Sequence, residues 1–264
     1  MKTAVALVTG GTSGLGFEVA QEYARRGISL ILQYRSRHER AEAARAQLLA
    51  QHPQLRVDLV AADFADLAAV EAFLPQLDAL VGERQLKYFV SSHGELGSNL
   101  FLFKKRSELQ SLINQHLLAN VFLTHHIVKA MARERFGRIV FITSLAAHKI
   151  NRGQADYALS KAALETFAQS LTAEFYHRSV TANCVCAGLA NTRIADEVHR
   201  AFEKEESEVG RVVDRTTIAR IVGVLSEDWA QDISGASWLV DGGQKSLGNN
   251  RDYHRLSFHA KKDS

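Results

Sequence analysis

Three polar residues in the middle of the chain have the types and spacing of an acid–base set. Ser144 and Tyr157 have twelve residues between them, and Lys161 follows Tyr157 by four. A free phenol titrates near 10, so Tyr157 alone is a poor proton donor or acceptor at neutral pH. An ammonium beside it favours the phenolate and brings it toward working range. Four residues apart on a helix, the two side chains project from one face. A hydroxyl at Ser144, closing the preceding strand, can hold a carbonyl oxygen by a hydrogen bond. An isolated Tyr-x-x-x-Lys is a common helical surface pair. It gains meaning from the segment near the N-terminus.

That segment is Thr9-Gly10-Gly11-Thr12-Ser13-Gly14-Leu15-Gly16, at the end of an apolar run. Glycines let the backbone approach a pyrophosphate, and the free N–H groups of the following helix favour anions. The spacing is not G-x-G-x-x-G. The second apolar run ends Gln33-Tyr34-Arg35-Ser36-Arg37, with no carboxylate before Glu39. A site for NAD usually places an acid there, for the ribose 2′-hydroxyl. Arg35 and Arg37 offer guanidinium groups instead, and Ser36 a hydroxyl, which suit the 2′-phosphate of NADP(H).

These residues need elements to hold them. Ala4–Val8, Ile28–Gln33, Leu55–Val60, Lys87–Ser91, Arg138–Ile142 and Val180–Val185 are short apolar runs separated by helix-length segments. Fully apolar runs alternating with helices predict an α/β fold, a doubly wound parallel sheet of Rossmann type covered on both faces. No repeat and no Pro/Ser-rich linker divides the chain. The expected organisation is one oxidoreductase domain through residue 244, with a polar, basic tail over Lys245–Ser264. The formal charge of +3 is too small for a nucleic-acid partner, which calls for a dense basic stripe. No apolar run reaches membrane-span length and no cleavable leader appears, so the expected location is the cytoplasm. Cys184 and Cys186 read as buried thiols on one strand. Eleven histidines show no H-E-x-x-H or Cys/His spacing, and no metal is expected.

Over about Lys2–Gly243 the chain resembles the short-chain dehydrogenase/reductase family. The likeness rests on the Thr-Gly-x-x-x-Gly-x-Gly spacing, on Gly137-Arg138-Ile139-Val140 before Ser144, on Gly153-Gln154-Ala155-Asp156-Tyr157, and on Val240-Asp241-Gly242-Gly243. Within the family the likeness is greatest to 3-oxoacyl-acyl-carrier-protein reductases, through Asn99-Leu100-Phe101-Leu102. The resemblance implies Ser144, Tyr157 and Lys161 as the catalytic set. It implies NADP(H) contacts at Thr9, Gly10, Thr12, Ser13, Gly14, Leu15, Gly16, Arg35, Ser36, Asp63, Gly94, Tyr157, Lys161 and Gly188. Asp63 would meet the adenine, although a helix-capping Asp looks the same. Leu189–Glu208 would form the substrate loop. Arg135 and Arg178 fall where such reductases grip the acidic carrier protein. A homotetramer is also implied, with helices around Leu109–Met131 and Ala155–Tyr176 packing against their copies.

Two departures stand out. The family's Asn-Asn-Ala-Gly is Ser91-Ser92-His93-Gly94. The family asparagine that holds a proton-relaying water falls at Leu117, with Asn114 and Asn120 one turn either side and His116 adjacent; Asn120 is the favoured substitute. Three readings follow: a 3-oxoacyl thioester reductase, a reductase of another ketone, or a weakly active NADPH-binding subunit supporting an active partner.

Overall fold

The structure is a computed structural model that describes residues 3–96, 99–190 and 212–246. The substrate loop beyond residue 190 and the tail beyond residue 246 lie outside the described residues.

Seven strands form one parallel sheet: β1 (Ala4–Thr9), β2 (Ser29–Tyr34), β3 (Val57–Ala61), β4 (Gln85–Ser91), β5 (Gly137–Ser144), β6 (Val180–Ala187) and β7 (Ser237–Val240), in the order β3-β2-β1-β4-β5-β6-β7. Helices α1 (Gly14–Arg25), α2 (His38–Gln51), α3 (Leu67–Val81), α4 (Arg106–Ile113), α5 (Ala119–Glu134), α6 (Ala155–Phe175) and α7 (Arg215–Leu225) make the crossovers. Strand side chains alternate between faces, so one apolar run feeds two cores. Val5 and Leu7 of β1 join Phe73, Leu123, Phe141 and Leu164 under α3, α5 and α6. Ala6 and Val8 join Val19, Leu32, Leu48 and Val222 under α1, α2 and α7. Both Cys184 and Cys186 are buried free thiols.

The strand order reverses at β1 and β4, and the crevice beyond their C-terminal ends is where an open α/β sheet receives a ligand. Between α4 and α5 the helix makes one π-turn, Asn114–Leu118, in which the Ala119 N–H reaches back to the Asn114 carbonyl. Leu100–Phe103 lies exposed ahead of α4, with Leu102 the most exposed of the four. No described helix is long and apolar enough to cross a membrane.

Candidate active site

The C-terminal sheet edge carries the catalytic candidates. Ser144 ends β5 and its hydroxyl accepts from the Ala146 N–H at 3.2 Å. Tyr157 and Lys161 lie on the first turns of α6. Ser144 hydrogen-bonds the Tyr157 phenol. Lys161 Nζ lies 5.7 Å from the Tyr157 ring centroid and donates to the Ile142 carbonyl at 3.0 Å. The three are thus brought together by one strand end and one helix face.

Their electrostatics differ from expectation. Burial raises the Tyr157 phenol above its ordinary value, and the Ser144 hydrogen bond offsets only part of this. Burial pulls the Lys161 ammonium down to about 8. The anticipated lowering of the phenol by the ammonium is therefore not what this site holds. With both groups out of water, desolvation disfavours the charged form of each.

The glycine turn faces the same crevice. Ser13 precedes α1 in extended conformation and makes no side-chain cap, so the first N–H groups of the helix are not closed by it. A Cβ at Gly16 would lie 2.3 Å from the Gly10 carbonyl oxygen, so only glycine lets the helix start pack under the turn. Gln33, which the sequence reading left unassigned, holds the turn in place. Its side-chain oxygen accepts from Gly10 N–H at 2.9 Å while its amide nitrogen donates to the Ala62 carbonyl at 2.7 Å. Thr12 is buried, and Ser13, Gly14 and Leu15 are half-buried at the helix start. Thr9 is buried with its hydroxyl 2.6 Å from His93 Nδ1, so it joins β1 to the loop after β4.

At the end of β2, Arg35, Ser36 and Arg37 are exposed. Arg35 pairs with the Glu95 carboxylate at 2.6 Å, reaching from β2 to the loop after β4. Asp63 is exposed and accepts from Ala65 N–H at 3.0 Å, but the N-cap of α3 is Asp66, which accepts from Ala68 N–H at 2.9 Å. The capping alternative for Asp63 is thereby corrected by three residues. Gly188 follows β6 with Asp241 against it, where a Cβ would meet the Asp241 Cα at 2.7 Å.

The expectation at Leu117 is also corrected. Leu117 packs on the apolar core. Asn114 donates to the Ala65 carbonyl at 3.1 Å, and the favoured Asn120 donates to the His116 carbonyl at 2.8 Å. The side chain that reaches the site is His116, whose ring meets the Tyr157 ring edge to face, with centroids 5.3 Å apart. A π-turn carries an extra residue per turn, so counting at 3.6 residues misjudges the facing side chain. Gly94 adopts φ +142°, and the His116 ring lies where its Cβ would stand. His93, read only as a departure, is buried and neutral, held down to about 4. Its Nε2 lies 2.8 Å from the Gln115 carbonyl, which can only accept. Nε2 therefore carries the proton and Nδ1 accepts from Thr9.

Two further groups escaped the sequence reading because their members come from separate elements. Lys104 and Asp156 form a buried ion pair that ties the segment before α4 to the first turn of α6. His148, Glu165 and Cys186 lie with their ligand atoms within 4.8 Å of one another. Glu165 already accepts from Thr143 at 2.9 Å and pairs with His148 at 3.0 Å. Burial and the Glu165 charge push the Cys186 thiol up to about 12, so it stays protonated at neutral pH. Arg135 and Arg178 are exposed at the opposite, N-terminal edge of the sheet, where Arg135 donates to the His177 carbonyl at 3.3 Å. Strand β5 alone separates that edge from Ser144 by roughly 23 Å.

Comparison with known proteins supports the geometric reading. The family described as short chain dehydrogenase matches residues 4–203. The 3-oxoacyl-[acyl-carrier-protein] reductase FabG of Escherichia coli K12 is 32% identical over 242 residues, covering 90% of this chain and 96% of that protein. The acetoacetyl-CoA reductase of Shinella zoogloeoides is 29% identical over 244 residues, covering 91% and 98%. Among solved structures, a short chain dehydrogenase/reductase family protein matches with a TM-score of 0.79 at 29% identity, covering 93% of this chain and 98% of that one. An NADPH dependent reductase involved in bacilysin biosynthesis matches with a TM-score of 0.83 at 20% identity, covering 92% and 98%, a likeness of fold.

Proposed function

The chain belongs to the short chain dehydrogenase family, and from that premise we propose that it reduces the carbonyl of a 3-oxoacyl thioester with NADPH. The observation that carries this reading is the convergence of Ser144, Tyr157 and Lys161 on the crevice that the Gly10–Gly16 turn borders. The residues fit a dinucleotide. The turn leaves α1 N–H groups uncapped, Gly16 admits close packing, and Lys161 makes one hydrogen bond among the described residues and has donors for a ribose. The reduced nicotinamide, when bound, supplies the hydride.

Ser144 orients the substrate carbonyl. Tyr157 gives its hydroxyl proton to the developing alkoxide, a role suited to a phenol that burial keeps protonated. Lys161 holds the ribose and supports the phenolate once it forms. Arg35 and Ser36 meet the 2′-phosphate, and Arg35 must then exchange the Glu95 carboxylate for it. The two named relatives act on a carrier-bound acyl group and on acetoacetyl-CoA, which favours a thioester over other ketones. Arg135 and Arg178, at the far sheet edge, suit a carrier protein only if it serves the active site of a neighbouring subunit. The carrier reading is thereby tied to the homotetramer.

The test is NADPH oxidation by pure protein against acetoacetyl-CoA, carrier-bound 3-oxoacyl groups and a panel of simple ketones. Tyr157→Phe should lose at least about 10²-fold in turnover, the lower range for acid–base catalysis, while still binding NADPH. Wild type as inert as Tyr157→Phe on every substrate would leave a cofactor-binding subunit that supports an active partner, the reading that Ser91-Ser92-His93 favours.

A further inference from the structure

Three residues from three elements bring donor atoms to one point beside the catalytic set. His148 lies beyond the end of β5, Glu165 on α6 and Cys186 on β6, and one ligand atom from each lies within 4.8 Å of the others. Among the described residues no other group of His, Cys, Asp and Glu brings three ligand atoms so close. Tertiary structure assembles the set. Cys186 pairs in register with Thr143, and the return of α6 over the sheet lays Glu165 against both.

An ion pair accounts for two of the three. His148 Nε2 lies 3.0 Å from a Glu165 oxygen, and such a pair needs no sulfur. Two groups that can both become anions, side by side and shielded from water, are poor neighbours for each other. They suit a dication. A thiolate, a carboxylate and a neutral imidazole carry two negative charges, which a divalent ion cancels, and cancellation matters most where burial removes water. The other charges that act on Cys186 are Asp241 and Lys245, of opposite sign. Access is also provided. Cys186 is fully buried and Glu165 nearly so, but the His148 side chain is 31% exposed, so an ion enters past the imidazole.

We propose that His148, Glu165 and Cys186 form a binding site for a borderline divalent cation such as Zn2+, with water as the fourth ligand. Thiolate and imidazole select this class, whereas Mg2+ and Ca2+ call for oxygen donors throughout. On binding, the Cys186 S–H bond breaks, a sulfur–metal bond forms, the proton leaves to solvent and no electron is transferred. The His148 Nε2 lone pair and one Glu165 oxygen complete the protein ligands. Tetrahedral zinc sets such atoms about 3.3–3.6 Å apart, so the sulfur closes by at most about 1.2 Å from the separation present. The second Glu165 oxygen already accepts from the Thr143 hydroxyl at 2.9 Å, an outer contact that orients a metal-binding carboxylate. Such an ion would tie β5, β6 and α6 together next to Ser144 and one helical turn beyond Lys161. The inference is independent of the reductase reading.

The experiment titrates Co2+, a spectroscopic stand-in for Zn2+, into the full metal-free chain without cofactor. We expect one equivalent to bind, with a thiolate-to-cobalt charge-transfer band in the near ultraviolet and release of at least one proton. Zn2+ should displace it, and excess Mg2+ or Ca2+ should not. Cys186→Ser should abolish the band, and Cys184→Ala should keep it. His148→Gln, a substitution at a half-exposed side chain, and Thr143→Val should each weaken Co2+ binding at least about tenfold. Zn2+ at a hundredfold excess over its Kd should raise the wild-type Tm by at least about 5 °C and leave that of Cys186→Ser unmoved. If Cys186→Ser does not fold, His148→Gln decides by the same band. No charge-transfer band in wild type, a band that survives Cys186→Ser, or wild-type affinity in His148→Gln overturns the proposal. A chain inert toward every carbonyl that still shows the band keeps this inference and loses the reductase reading; an active chain without the band does the reverse.

Discussion

Replacing Lys161 by Met should stabilise the cofactor-free protein even as it abolishes activity. The ammonium sits wholly buried with one carbonyl acceptor, and burial lowers it from 10.5 to about 8. Because its folded value is depressed, the unfolded chain binds more protons between about pH 8 and 10.5, so stability rises with pH through that window and the penalty is complete below it. That difference is about 3 kcal/mol at neutral pH. Met keeps the volume but loses the bond to the Ile142 carbonyl, about 1 kcal/mol, leaving a net gain of about 2 kcal/mol. For a chain of this size that is a rise in Tm of roughly 4–8 °C. Thermal unfolding of both proteins from pH 6.5 to 10.5, without cofactor, is the assay. Wild-type stability should climb above pH 8 while the variant stays flatter, and the two curves should cross just below about pH 10, where the remaining penalty equals the lost hydrogen bond. A variant less stable than wild type at pH 7, or parallel curves, would refute the assignment of a desolvated ammonium at the site.

Three further outcomes follow from contacts described above. Lys104→Met leaves Asp156 as an uncompensated buried charge beside Tyr157, and should cost about 3–5 kcal/mol in chemical denaturation, part of it recovered in the double variant with Asp156→Asn. Glu95→Gln frees Arg35 from an exposed pair worth up to about 1 kcal/mol, so NADPH should bind up to about fivefold tighter in a low-salt titration while NADH is unchanged. Gly16→Ala places a methyl 2.3 Å from the Gly10 carbonyl, and the shift it forces should cost about 1–3 kcal/mol and weaken NADPH binding measurably by calorimetry.

Six of the seven strands were legible because each is short, apolar and bounded by turn residues, and burial leaves that mark on composition; the edge strand β7, four residues long with Ser237 and Leu239 exposed, carries no such mark. The glycine turn and the Ser144, Tyr157 and Lys161 spacing were legible because each motif lies within one strand–helix junction. What escaped was set by geometry between distant segments. The Arg35–Glu95 and Lys104–Asp156 pairs join residues 60 and 52 positions apart in sequence, and nothing local to either partner announces them. The facing residue at the π-turn was misjudged because the sequence pattern assumes regular helix. The phenol–ammonium argument failed on magnitude. Charge attraction can be read from residue types, whereas desolvation depends on how deeply α6 and β5 bury both groups.

The strand order also governs how the chain reaches this state. Strand β1 occupies the middle of the sheet and pairs with β2 on one side and β4 on the other, so that Val8 sits against both Leu32 and Val90. The first partner is close in sequence and the second arrives some eighty residues later. During synthesis at about 5–20 residues per second, one flank of an almost wholly apolar strand therefore waits roughly 4–16 s for its cover. An open, hydrophobic strand edge of that kind is a template for pairing with other chains. Soluble yield should depend on how long that flank stays open, through translation rate and chaperone supply, more than on the stability of the finished sheet.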